Sequence, residues 1–181
     1  MSRILIPTVD QAPVASKPGL EAVHKQLGTV PNLFRLIGIS PSALSGFLGL
    51  FGALNQALDA KTRERIALAV AQVNGCDYCL SAHTYLGLNV AKLSSEEVAH
   101  NRAGGSSDPK ADAAVRFAKK VADARGHVSD ADVSEVRLAG FDDAQIVEIV
   151  AVVALNCFTN FLNEVAKTEI DFPVVNAAEA A

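Results

Sequence analysis

Four side chains in one stretch of 20 residues can carry thiol chemistry. The segment ERIALAVAQVNGCDYCLSAH, residues 64–83, holds Cys76 and Cys79 as a CxxC, His83 four residues further on, and Glu64 twelve residues before the first sulfur. On a helix Cys76, Cys79 and His83 stand at i, i+3 and i+7 and share one face. Cys79 and His83 are neighbours on that face, so the imidazole can take the thiol proton directly or through one water. A thiolate is the nucleophile, and an ordinary cysteine is mostly protonated at neutral pH, so such a base is what the chemistry requires. Cys76, at the helix start, meets the positive end of the helix dipole, which also favours thiolate. A CxxC in that position lets the two sulfurs close a disulfide.

Glu64 joins them only if the chain reverses at Asn74-Gly75. It lies roughly 15 Å of helix before that break, and His83 roughly 10 Å after Cys76, at 1.5 Å per residue. An antiparallel hairpin then brings the carboxylate within about a turn of the imidazole, where it can hold the ring's tautomer and pass protons.

The elements that must position these groups all read as helices. Residues 1–18 contain Pro7, Pro13 and Pro18 and suggest an extended arm. Short helices are expected in GLEAVHKQLG and PNLFRLIG, the second with Pro31 in its first turn. An apolar helix opens at Ser40-Pro41 and runs to about Leu58, and Asp59 caps the next, Lys61 to about Val73. The CxxC helix runs from Cys76 to Leu86, stopped by Gly87. Further helices start near Ser94–Glu97, at Asp108-Pro109 (closed by Gly126) and at Ser129 (running to Gly140). The last and most apolar spans Asp142 to about Thr168, with Asp142 and Gln145 in capping-box spacing. Strand signals are nearly absent. The expectation is an all-α, compact multi-helix bundle: one domain over 19–173, an arm at 1–18 and a tail at 174–181.

Composition excludes several function classes. Of 181 residues, half are hydrophobic and the formal charge is -4, with no basic stretch, so no nucleic-acid partner is expected. No apolar run approaches a membrane span, and MSRILIP is too little for a signal peptide, so a cytoplasmic, membrane-free protein is expected. Three cysteines argue against a disulfide framework. Zinc is the chemical rival for Cys76, Cys79 and His83, but no second CxxC, CxxH or HxxxH completes a tetrahedral site; neither metal nor cofactor is expected. A thioredoxin-like fold needs strands that are not there, and a lone CxxC can also be a structural pair without activity. Cys157, among Leu155, Phe158 and Phe161, reads as a buried small hydrophobe. His24, His100 and His127 read as surface residues. Asn156, Asn160 and Asn163 need partners if buried; pairing with a neighbouring helix is favoured over lining the pocket, although Asn160 is kept as a possible pocket residue. Tyr78 and Tyr85 either flank the site or pack.

The pattern E-x11-CxxC-x3-H, carried by Glu64, Cys76, Cys79 and His83, resembles the alkylhydroperoxidase D-like branch of the carboxymuconolactone decarboxylase superfamily. The likeness is strong over about residues 59–88; VPNLFR at 30–35 and TEIDFP at 168–173 are similar to its peroxidase-related subgroup. The resemblance implies an all-helical, oligomeric thiol peroxidase in which Cys79 attacks the peroxide, Cys76 resolves the product as a disulfide, and Glu64 and His83 relay protons. Its partners would be hydrogen peroxide or an alkyl hydroperoxide, a dithiol reductant, and further copies of the chain. Self-association also fits the apolar helices 40–58 and 142–168. One departure stands out: Tyr78 occupies the place where alkylhydroperoxidase D has a second histidine, and a phenol is a far poorer base at neutral pH. The superfamily's true decarboxylases lack the CxxC, which favours redox chemistry over lactone decarboxylation. The alternatives are a redox-sensing oligomer with negligible turnover and a decarboxylase-like lyase.

Overall fold

The computed structural model describes residues 2–178. Among them are nine α-helices and no strand: α1 Lys17–Leu27, α2 Asn32–Ile37, α3 Pro41–Leu54, α4 Ala60–Asn74, α5 Asp77–Asn89, α6 Ser95–Arg102, α7 Pro109–Asp123, α8 Asp130–Leu138 and α9 Asp143–Ala166. The all-α expectation holds. Side-chain caps start most of them: Ser40, Asp59, Ser94, Asp108, Ser129 and Asp142 each accept a hydrogen bond from the backbone N–H three residues on. Ser129 with Asp132 and Asp142 with Gln145 form complete capping boxes.

Helix α4 is the centre. Residues Ile66 to Ala71 are all buried, so its middle is apolar on every side, the mark of a helix enclosed by others. It packs against α5, α6, α7 and α9. One core cluster joins Ile66 and Val70 of α4 to Phe117 and Val121 of α7 and Ile149 and Val153 of α9. A second gathers Leu68, Cys76, Tyr78, Cys79 and Leu80. A third, around Leu20, Phe34, Leu44 and Phe47, ties α1–α3 together.

Several boundaries differ from the sequence reading, each for a physical reason. Helix α5 passes through Gly87 to Asn89. Glycine costs a helix only about 1 kcal/mol, and here Leu93 and Val98 pack against it: a Cβ would lie in ordinary contact, 3.4 Å from Leu93 Cδ1 and 3.7 Å from Val98 Cγ2. Helix α3 stops at Leu54, four residues early. The arm is shorter than 1–18, because Val14–Ser16 form a 3₁₀ turn and α1 begins at Lys17. Pro18 sits in the first turn of α1, where no backbone N–H is needed; Met1 lies outside the described residues. The tail is not separate either. Val175 N donates to Ser81 Oγ (2.9 Å), Ala177 N to Asp77 Oδ1 (2.7 Å), and Ala177 O accepts from Gln72 Nε2 (2.9 Å). Residues 174–177 are thus strapped across α5, while 179–181 lie outside the described residues.

The buried carboxylate of Glu97 pins the loop between α6 and α7 to α4. It accepts from Arg65 Nε (2.8 Å), Asn101 Nδ2 (2.9 Å), Ser107 N (3.0 Å) and the hydroxyls of Ser106 and Ser107. Burial alone would raise its pKa, but the bonds from Ser106, Ser107 and Asn101 outweigh that and hold it well below the usual carboxylate range. Its ionisation therefore stabilises the fold above the ordinary carboxylate pKa, and that contribution is lost as pH falls through the lowered native value. Glu97→Ala strands Arg65 and both serines and should cost about 3–5 kcal/mol, lowering the melting temperature by roughly 10 °C. Thermal unfolding followed by circular dichroism checks this; an unchanged midpoint would remove Glu97 as the loop's anchor.

Candidate active site

The site begins with the reversal between α4 and α5. Gly75 is left-handed, with φ +65°, and closes α4 with a Schellman pair: Cys76 N donates to Ala71 O (3.0 Å) and Gly75 N to Gln72 O (3.2 Å). Cys76 then caps α5, its sulfur accepting from Cys79 N at 3.3 Å. The two helices run back antiparallel, and the carboxylate meets the imidazole: Glu64 Oε2 lies 2.8 Å from His83 Nδ1. All four residues expected to do chemistry are therefore gathered on the α4–α5 hairpin. Both sulfurs are buried, with Cys76 0% and Cys79 2% exposed, and both are free thiols.

Charge is divided unequally between the sulfurs. The hydrogen bond from Cys76 is the largest influence on Cys79; burial opposes it, while the charge on His83 and the amides of Asn163 and Asn160 add to it, bringing the Cys79 thiol down to about 7. Cys76 moves the opposite way, pushed far above the ordinary thiol range by its hydrogen bond to Cys79 and by burial. The helix dipole favours thiolate at Cys76, but the hydrogen bond to Cys79 and burial act against it there, and two adjacent sulfurs in one dry site favour a single negative charge, on Cys79, where Asn163 donates at 3.2 Å. Burial would lower the His83 pKa, but the charge and hydrogen bond of Glu64 overcome this and raise it, with further help from Cys79 and Asn156. With Nδ1–H donated to Glu64, Nε2 is the ring atom left to exchange a proton.

Helix α9 supplies what the hairpin lacks. Asn163 Nδ2 donates to Cys79 Sγ at 3.2 Å. Asn160 Oδ1 accepts from Asn74 Nδ2 at 2.8 Å, and the same amide of Asn74 approaches Cys157 Sγ at 3.6 Å. Asn156 donates back to its own helix at Val152 O. The asparagines therefore both line the site and pair across to the neighbouring hairpin. Asn163 and Asn74 were not among the expected site residues. The signal for Asn163 was its place in a polar row on an apolar helix; nothing local marked Asn74 beyond its role before the turn glycine.

Tyr78 is not a relay residue. Its hydroxyl accepts from Leu33 N (3.1 Å) and donates to Asp171 Oδ1 (2.8 Å), while Asp171 Oδ2 accepts from Asn32 N (2.7 Å). Burial holds its phenol well above the ordinary range. Phe172 stacks edge-on against its ring, with centroids 5.9 Å apart, and also meets Tyr85. Tyr78 thus ties α5 to α2 and the C-terminal strap. Among the described residues no three His, Cys, Asp or Glu side chains are grouped to hold a metal ion.

Residues 41–124 match the carboxymuconolactone decarboxylase family. The chain is similar to a peroxidase-related protein with an alkylhydroperoxidase D core from Ralstonia eutropha JMP134, at 24% identity and TM-score 0.83, covering 94% of this chain and 92% of that one. It is similar also to a peroxidase-related protein from Silicibacter sp. TM1040, at 25% identity and TM-score 0.80, covering 93% and 91%. The debrominase Bmp8, solved as a cysteine-to-alanine variant with 2,3,4-tribromopyrrole, shares the fold at 21% identity and TM-score 0.73, covering 86% and 84%. A curated protein of Haemophilus influenzae, itself uncharacterised, is 58% identical over 36 residues, which span 20% of this chain and 32% of that protein.

The charge distribution makes a direct prediction. In a Cys157→Ala background, ultraviolet thiolate absorbance should rise with pH through a midpoint near 7, the Cys79 value. Glu64→Gln leaves His83 less often protonated and should move that midpoint upward by about one pH unit. A midpoint near the ordinary thiol pKa in the parent would remove the thiolate from the site.

Proposed function

We propose that this chain, which belongs to the alkylhydroperoxidase D-like superfamily, is a thiol-dependent peroxidase that reduces hydrogen peroxide or an alkyl hydroperoxide. The observation that carries the reading is the geometry of the dithiol: two buried sulfurs, with Asn163 Nδ2 donating to Cys79 Sγ at 3.2 Å, beside a Glu64–His83 pair in contact at 2.8 Å, surroundings that favour thiolate at Cys79 rather than at Cys76. The Cys79 thiolate attacks the terminal peroxide oxygen, the O–O bond breaks, and the leaving alkoxide or hydroxide takes a proton from the His83 imidazolium. Cys79 is then a sulfenic acid. The Cys76 sulfur displaces its hydroxyl, which leaves as water, and forms the Cys76–Cys79 disulfide; a dithiol reductant returns both thiols. Glu64 holds the ring and steadies its positive form, which is the role of a positioned carboxylate in general acid–base catalysis.

With dithiothreitol as reductant the native protein should consume many equivalents of peroxide. Cys79→Ser should be inactive, and Cys76→Ser should stop after one equivalent with a trappable sulfenic acid. His83→Gln should retain the fold and lose about 100-fold in rate. Consumption of a single equivalent by the native protein would overturn the enzyme in favour of a redox switch.

A second reading rests on the debrominase that shares the fold. The same dithiol can reduce an aryl bromide: Cys79 sulfur takes the bromine, the ring carbon takes a proton, and Cys76 displaces bromide to form the same disulfide. Bromide release from a bromopyrrole in place of peroxide consumption would favour it.

Self-association belongs to the same proposal. Val147, Val150, Phe158, Phe161 and Val165 are exposed along one face of α9, an apolar stripe about 30 Å long. A second copy of the chain, carrying the same stripe, is the occupant we infer. Phe161→Lys with Val165→Lys should lower the mass measured by sedimentation to that of a 19.0 kDa monomer; a native protein already monomeric at working concentration would refute the interface.

A further inference from the structure

Two buried polar atoms beside Cys79 have no hydrogen-bond partner: Asn160 Nδ2 and Asn163 Oδ1. The residues are 0% and 2% exposed, so water does not satisfy them from the surface, and a polar atom left in that state is costly. They stand at i and i+3 on α9, on one face. The orientation of each carboxamide is set by its other end. Asn74 donates to Asn160 Oδ1 (2.8 Å), which turns the Asn160 N–H₂ toward Cys79, whose thiolate it favours without a closed hydrogen bond and with its second proton left to donate. Asn163 donates its own N–H₂ to Cys79 Sγ (3.2 Å), which leaves its carbonyl oxygen free. The result is one open donor and one open acceptor next to the nucleophilic sulfur.

A hydroperoxide has the complementary pair, an O–H that donates and oxygen lone pairs that accept. So does a sulfenic acid. We propose that the carboxamides of Asn160 and Asn163, with Asn74 orienting the first, form the subsite that receives the reacting HO–O group and then holds the oxygen transferred to Cys79. The peroxide O–H donates to Asn163 Oδ1 and its oxygen accepts from Asn160 Nδ2, which puts the terminal oxygen against Cys79 Sγ. After the O–O bond breaks, the Cys79–S–O–H hydroxyl keeps both contacts until Cys76 displaces it as water. Asn160 and Asn163 are then substrate-contacting residues, and Asn74 is a positioning residue that acts through Asn160. This rests on the peroxidase reading.

The test measures single-turnover oxidation of Cys79 by hydrogen peroxide in a Cys76→Ser, Cys157→Ala background, with thiolate absorbance recorded on the same samples. Asn160→Leu should lower the rate per thiolate at least about tenfold, the equivalent of one lost hydrogen bond to a developing charge, and should shorten the lifetime of the sulfenic acid. Asn74→Ala, at a half-buried position, changes the fold less and should give a smaller loss in the same direction, so the proposal stays testable if Asn160→Leu does not fold. A loss fully accounted for by a raised thiol pKa, with the rate per thiolate unchanged, overturns the subsite while leaving the peroxidase in place. Failure of peroxide to oxidise the parent thiolate at all overturns both.

Discussion

The site exists because one residue takes a left-handed conformation. Gly75, at φ +65°, turns the end of α4 through a Schellman closure so that the next amide, that of Cys76, still bonds back to Ala71. An L-residue with a side chain adopts this region at a cost of about 1 kcal/mol or more. With the turn made, α5 returns antiparallel along α4, and the sequence interval between Glu64 and His83 becomes a direct contact. The same turn places Cys76 at the helix cap, so its sulfur faces Cys79 N and lies within reach of the second sulfur. The Glu64–His83 contact and the dithiol thus follow from one backbone constraint.

What the turn assembles, electrostatics then differentiates. Two identical side chains three residues apart end with opposite properties because Cys76 accepts from the backbone N–H of Cys79, whereas the Cys76 thiol, the charge on His83 and the amides of Asn163 and Asn160 act together on the second sulfur. Burial raises the energy of any charge in this site, so it makes each of those donors count for more and prevents both thiols from ionising together. The arrangement resembles a carboxylate dyad in its logic: a shared site, one charge, and an asymmetry between its two members.

How far this was legible in the sequence depended on distance along the chain. Glu64, Cys76, Cys79 and His83 sit on two consecutive helices with a marked break between them, so helical periodicity and a rise per residue were enough to place them. The capped helix starts were equally plain, since a cap is a contact over three residues. Tyr78, Asn74 and Asn163 were another matter. The hydroxyl of Tyr78 finds Asp171, 93 residues away, and Asn163 finds Cys79 across 84 residues; no local pattern encodes such partners. Gly87 misled for the converse reason: its local propensity suggested a stop, but packing by Leu93 and Val98 carried the helix through. The preference between the two sulfurs was not legible either, because a helix dipole can be judged from one element, whereas competition between two sulfurs cannot.

Helix α9 shows why an apolar helix can still be the most chemically loaded element of the fold. Its inner face carries Asn156, Asn160 and Asn163, all buried, toward the thiols and the imidazole; its outer face is the exposed apolar stripe. A 24-residue helix with that pattern has the length and composition of a membrane span, yet three buried carboxamides on one side need polar partners, and Asn160 and Asn163 reach theirs on the α4–α5 hairpin. The two faces are mechanically one body. Any contact that fixes the outer stripe also fixes the register of the asparagines against Cys79, so association of copies through α9 would hold the sulfur's donors in place. The constraint runs both ways: the asparagine row must keep its spacing to reach the site, which leaves the outer face as the side free to accumulate apolar residues.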